Sequence, residues 1–139
     1  MKNILLGFLL MGTLLSVSGA EAQPLRVMSY NIRVGKGLDN VFKPERTLEA
    51  IRKIAPDLGG LNEVDSYTER TNFTDTADLL RRNLSMSAIF AQALPLNNRD
   101  QAPGGYGVLA LGKKRLQVME QFALPIPADL EPRTALIVR

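Results

Sequence analysis

Two polar side chains stand where chemistry could be done. Asn31 lies near the end of Val27-Met28-Ser29-Tyr30-Asn31-Ile32-Arg33, and Glu63 lies near the end of Pro56-Asp57-Leu58-Gly59-Gly60-Leu61-Asn62-Glu63-Val64. Both segments read as buried strands, each delivering one polar group. A carboxylate is costly to bury unless it is paired or coordinates a metal. A hard divalent cation such as Mg2+ takes oxygen ligands and usually only one or two protein carboxylates. Glu63 meets that need, and Asn31 offers a second oxygen or a group that orients a phosphate. Spacing alone also allows both residues to sit at strand ends in solvent.

The elements that would position them follow from the pattern. Residues 25–32 alternate as a strand and run into the turn-rich Gly35-Lys36-Gly37-Leu38-Asp39-Asn40. Asp39 in that loop could approach a metal through water, but turn formation is its simpler role. Pro44 opens a helical stretch with Leu48, Ile51, Ile54 and Ala55 on one stripe, and Pro56 ends it. Residues 58–64 form the second strand, so the unit is βαβ-like with its helix on one sheet face. Gly59 and Gly60 are expected to weaken that strand, since neither has a side chain to pack. A second helix starts near Thr74 or Asp75 and presents Ala77, Leu80 and Leu84. Strands are expected at 86–94, 106–111, 116–122 and 134–138, with a polar loop from Leu96 to Gly105. The last strand runs into the end of the chain, which suggests a domain cut short.

Composition bounds the rest. The sequence has 139 residues, no cysteine, no histidine and a formal charge of +3. Lys2, the uncharged apolar run from Ile4 to Val17, and the small residues around Ala20 and Ala22 read as a cleaved signal peptide over residues 1–22. The run is shorter than the ~20 residues a spanning helix needs, so no stable membrane anchor is expected. A secreted or periplasmic product over residues 23–139 follows. Without cysteine its stability must come from its core. The weak positive charge suits a phosphate-bearing substrate and does not argue for nucleic acid.

Five segments in order resemble the endonuclease/exonuclease/phosphatase family, whose members include DNase I-like nucleases. They are the Ser29-Tyr30-Asn31-Ile32 strand, the Pro56-to-Val64 strand, Arg70-Thr71-Asn72 after Asp65-Ser66, Gly105-Tyr106-Gly107-Val108-Leu109-Ala110-Leu111, and Glu131-Pro132-Arg133-Thr134-Ala135-Leu136. The resemblance covers residues 25–139. It implies an α/β fold, a four-layer α/β/β/α sandwich of which only the N-terminal part is encoded here. It implies metal-dependent hydrolysis of a phosphate ester with Mg2+ or Mn2+. It makes Glu63 a catalytic metal ligand and Asn31 a catalytic residue that binds phosphate and metal. Tyr106 becomes a substrate-binding candidate through a hydrogen bond to phosphate, the alternative being a tyrosine that covers the sheet edge. Arg70 and Arg133 could bind phosphate, but structural ion pairs are the stronger expectation.

The chain also departs from the pattern. Asn62 replaces a usual glutamine, Gly112 a usual serine, and Gly59 a residue that is normally bulky. The family's catalytic histidine and the segments of its second half have no counterpart. The expectation is therefore a phosphoesterase that is inactive as this fragment. The alternative is a non-catalytic remnant, or a complementation partner for a missing C-terminal half. The substrate class stays open among nucleic acid, sugar phosphates, inositol phosphates and lipid head groups.

Overall fold

The computed structural model describes residues 23–96 and 104–139. The signal-peptide reading and most of the predicted polar loop lie outside the described residues. Six strands and two helices follow in the order β1 (Val27–Asn31), α1 (Pro44–Ile54), β2 (Leu58–Ser66), α2 (Thr76–Leu84), β3 (Ser87–Leu96), β4 (Gly104–Gly112), β5 (Val118–Ala123) and β6 (Thr134–Val138). Strands β1 to β4 form one sheet in the order β1-β2-β4-β3, and β5 with β6 forms a separate antiparallel hairpin. The fold is mixed α/β.

The βαβ expectation holds. β1 and β2 pair in parallel, Val27 opposite Leu58 through Asn31 opposite Asn62, with α1 as the crossover. That register decides where chemistry can happen, because it sets Asn31, the last residue of β1, beside Asn62, where the parallel pairing stops and β2 runs on. One face of the sheet carries Met28, Leu61, Leu109 and Leu111, which pack with Leu48 and Ile51 of α1 and Leu80 of α2 into one core. The rows match across strands, Met28 to Gly59 to Leu111 and Tyr30 to Leu61 to Leu109, as the alternation of strand side chains requires.

Both helices begin and end where their residues dictate. Pro44 stands at the start of α1, where its missing N–H costs nothing. Ala55 closes α1 in the left-handed conformation, its N–H donating to the Ile51 carbonyl at 2.8 Å. Of the predicted stripe, Leu48 and Ile51 are buried, but Ile54 is 41% exposed. The helix ends there, past the edge of the core, and Thr47 takes the buried place instead. Asp75 caps α2, its carboxylate accepting the Asp78 N–H at 3.1 Å.

The glycine pair does not break β2, which runs on to Ser66. Gly59 makes room for Met28, whose terminal methyl would lie 3.0 Å from a Cβ there. The irregularity falls later, as a bulge between Leu61 and Val64.

Candidate functional site

The bulge in β2 builds the site. Leu61 is 1% exposed and Val64 is fully buried, yet they are an odd number of residues apart. A regular strand would send them to opposite faces. Both reach the core because Asn62 and Glu63 bulge out between them, and Glu63 adopts φ +54°. A bulge of this kind re-aims a side chain. Here it turns the Glu63 carboxylate toward Asn31, whose Nδ2 donates to Glu63 Oε1 at 2.8 Å. The Asn31 Oδ1 in turn accepts the Arg33 N–H at 2.9 Å. Asn31 is thus fixed at both ends of its amide. In this arrangement it orients Glu63, and its carbonyl is turned toward the backbone of the following turn.

That turn, Arg33–Gly35, is itself strained, with Arg33 and Val34 both at φ +48°. Arg33 in the turn and Lys36 just after it line the cavity that also contains Glu63. Arg33 donates to the Gly37 carbonyl and to Asn40 Oδ1, both at 2.9 Å. Asp39 forms the turn as expected. Its Oδ1 accepts the Val41 N–H, and both its oxygens pair with Arg46. Arg46 holds the Asp39 carboxyl well below the usual carboxylate range.

Tyr106 does not cover a sheet edge. It lies on β4, an interior strand between β2 and β3, opposite Asp65. It is largely buried, and its hydroxyl accepts from Arg133 Nη1 at 3.4 Å. The neighbouring Gly107 is required by space, because a Cβ there would sit 2.0 Å from the Ala91 carbonyl oxygen. Arg70 lies over the Tyr106 ring at 5.4 Å from its centroid. It also makes the expected ion pair, a two-point contact with the fully buried Asp65 at 2.6 and 2.7 Å. Asp65 raises the Arg70 pKa through that contact. Arg133 pairs with Glu131 at 2.6 Å. Its pKa is raised by the Tyr106 hydrogen bond first and by Glu131 next.

Two cavities meet along Glu63, Tyr106 and Arg133. One, of about 380 Å3, is ringed by Arg33, Lys36, Arg70 and Arg133 against the carboxylates of Glu63 and Glu131. The other, of about 410 Å3, adds Asn31, Asn62, Val108, Leu124 and Thr134. All three predicted site residues therefore belong to one place. A larger cleft of about 590 Å3 lies at the opposite end of the sheet, by Arg26, Asp57 and Lys113. Its one carboxylate, Asp57, is already bound to Lys113 at 2.7 Å.

No protein-family model and no curated protein matches the chain. A structure search does find a likeness, to an endonuclease/exonuclease/phosphatase from Beutenbergia cavernae DSM 12333, with TM-score 0.56, 23% identity and 74% of this chain covered. The mixed α/β fold of this chain is similar to part of that structure. The chain spans 29% of the length of that structure. The likeness bears out the α/β architecture expected from the five segments, and at this identity it speaks for the fold.

Sequence reasoning singled out Asn31, Glu63 and Tyr106, and the sheet brings them together along one cavity. It missed the convergence of Arg33 and Lys36 on the same cavity. The available signal was their place directly after the Asn31 strand, where a turn folds back over the sheet end. Among the described residues, no cluster of three or more His, Cys, Asp or Glu side chains could hold a metal. Glu63 is the acid that the site presents beside Asn31.

Proposed function

We propose that this chain carries part of the site of a secreted, divalent-metal-dependent phosphoesterase. One observation carries the reading. A half-buried carboxylate, Glu63, is held by Asn31 on a strained bulge just past the carboxyl end of β1, where its parallel pairing with β2 stops, beside a cavity rich in cations. Ligands of open α/β sheets bind outside the carboxyl ends of their strands. Strained backbone at such a place is a reason to expect function.

The residues present are compatible with Mg2+ or Mn2+. Glu63 would hold the ion, and Asn31 would hold Glu63. Mg2+ is usually bound by one or two carboxylates plus water and substrate oxygens, so a single acid is compatible with it. The ion, when bound, supplies Lewis-acid polarisation of a phosphoryl oxygen. Tyr106 would bind the ester group through its hydroxyl, and the surrounding arginines would offset phosphate charge. The reading assigns this chain binding and orientation, without turnover on its own, because the sequence holds no histidine to move a proton. It also takes the sheet and helices seen here as one part of a four-layer sandwich whose other strands a further polypeptide segment would supply. The substrate is a phosphate ester of unspecified class.

The test is metal binding. Mn2+ titrated into the full chain at neutral pH is expected to bind, read by water-proton relaxation. Glu63→Gln should weaken it at least about tenfold, and Asn31→Ala about 10- to 100-fold, as for partners that orient a ligand. Equal Mn2+ affinity in wild type and Glu63→Gln would end the proposal.

A further inference from the structure

We propose that Arg70 is the fixed oxyanion-binding residue of the cationic cavity, donating through its outer guanidinium edge to a phosphoryl oxygen; only the identity of the oxyanion rests on the phosphoester reading above.

The geometry of the Asp65–Arg70 pair is the first reason. Asp65 has a side chain with no exposure, whereas the Arg70 side chain is 46% exposed. A buried carboxylate needs partners, and Asp65 has three bonds from two of them. Arg70 Nε donates at 2.6 Å and Nη2 at 2.7 Å, and Thr68 Oγ1 donates at 2.6 Å. The pair anchors the acid deep and leaves the cation on the cavity wall. The carboxylate occupies the Nε/Nη2 edge, so Nη1 is left on the far edge.

Fixation is the second reason. Asp65 holds one edge of the guanidinium, and the Tyr106 ring holds one face at 5.4 Å. A free arginine carries about 2 kcal/mol of side-chain entropy, much of which is lost when it binds. Here folding has already restricted it, so an anion meets a preorganised donor. A lysine could not be held this way, because it lacks the planar fork and the stacking face.

The third reason is what the other cations do. Arg133 is engaged by Glu131 and Tyr106, and Arg33 by Gly37 and Asn40. Arg133 makes both contacts through Nη1, and Arg33 makes its two through Nη1 and Nη2, so among the described residues around this cavity Arg70 is the guanidinium held by both a buried carboxylate and an aromatic face. Four cations against two carboxylates make the cavity attractive to an anion.

The probe is inorganic phosphate, titrated into the full chain at pH 7 without divalent metal and followed through the arginine Nε–H resonances. The Arg70 resonance should move saturably, and chloride at matched ionic strength should not move it. Arg70→Lys should bind phosphate at least about tenfold more weakly, the loss of one charge-assisted hydrogen bond. Should Arg70→Lys fail to fold, the wild-type resonance still decides. Unchanged phosphate affinity in Arg70→Lys, or a stationary Arg70 resonance in wild type, overturns the assignment. Mn2+ titration of the same protein reads Glu63 separately. Mn2+ binding without phosphate binding removes Arg70 and leaves the phosphoester reading. Phosphate binding without Mn2+ binding does the reverse.

Discussion

At the scale of single residues, the site depends on backbone that most side chains avoid. Glu63 at φ +54° accepts a left-handed conformation that costs an L-residue roughly 1–2 kcal/mol. Glycine adopts it without that cost. Glu63→Gly should therefore be more stable than Glu63→Ala by about 1 kcal/mol in urea denaturation, although both lack the carboxylate. Equal stability of the two variants would show that the bulge relaxes once the side chain is gone. The strain is retained in the native chain because Leu61 and Val64 on either side are pinned in the core. Val34 at φ +48° is a second such position, a β-branched residue in the turn over the site.

At the scale of elements, a clamp at the far end of the sheet holds the site's strands in register. Asp57 accepts the Arg26 N–H at 2.7 Å and the Lys113 ammonium at 2.7 Å, and its carbonyl accepts the Lys113 N–H at 3.0 Å. One residue thus joins the start of β1, the start of β2 and the end of β4. Lys113 first, and the Arg26 N–H second, hold the Asp57 carboxyl below its ordinary range. A carboxyl depressed in the folded chain binds its proton more tightly when unfolded. Its stabilisation is therefore present above the ordinary value near pH 4 and is lost as pH falls through the folded value. Asp57→Asn should lower the urea midpoint at pH 7, and its deficit should shrink below about pH 4. A deficit that stays constant down to the lowest pH at which wild type folds would mean that Asp57 acts by shape and not by charge. Arg26 adds to the clamp by donating to the Ile54 carbonyl at the end of α1 at 2.8 Å.

At the scale of the whole molecule, stability is uneven. The sheet of β1 to β4 packs one face against α1 and α2, and β2 and β4 contribute Leu61, Val64, Leu109 and Leu111 at 2% exposure or less. Every residue of β5 is exposed, and Val118, Met119, Phe122 and Ile137 of the hairpin remain 41–53% accessible. Elements with few buried contacts open first. Amide hydrogen exchange in β5 and β6 should be faster than in β2 and β4, and comparable protection would show that the hairpin unfolds with the main sheet. This bears on the site, since Arg133 lies between β5 and β6, next to Thr134, and reaches Tyr106 from there. No described helix is long and apolar enough to cross a membrane.

Local chemistry in the sequence settled the elements. Pro44 and Pro56 bracket α1, Asp75 caps α2, and the alternation of apolar residues marks the strands. Those signals act within a few residues, so a chain read in order reveals them. The nearness of Asn31 and Glu63 was also legible, through the βαβ spacing that sets two strands side by side and through the resemblance of five segments to one family, whereas the hydrogen bond between them was not. Tertiary structure alone decided three things. It placed the bulge at Asn62–Glu63, because only the fit of Leu61 and Val64 to a shared core demands an extra residue there. It set Tyr106 in the sheet interior, because strand order depends on which edges meet in space. It brought Arg33, Lys36, Arg70 and Arg133 to one cavity from three separate segments. Charge carries no periodicity that would announce such convergence, and only the folded sheet end brings those segments within reach of one ligand.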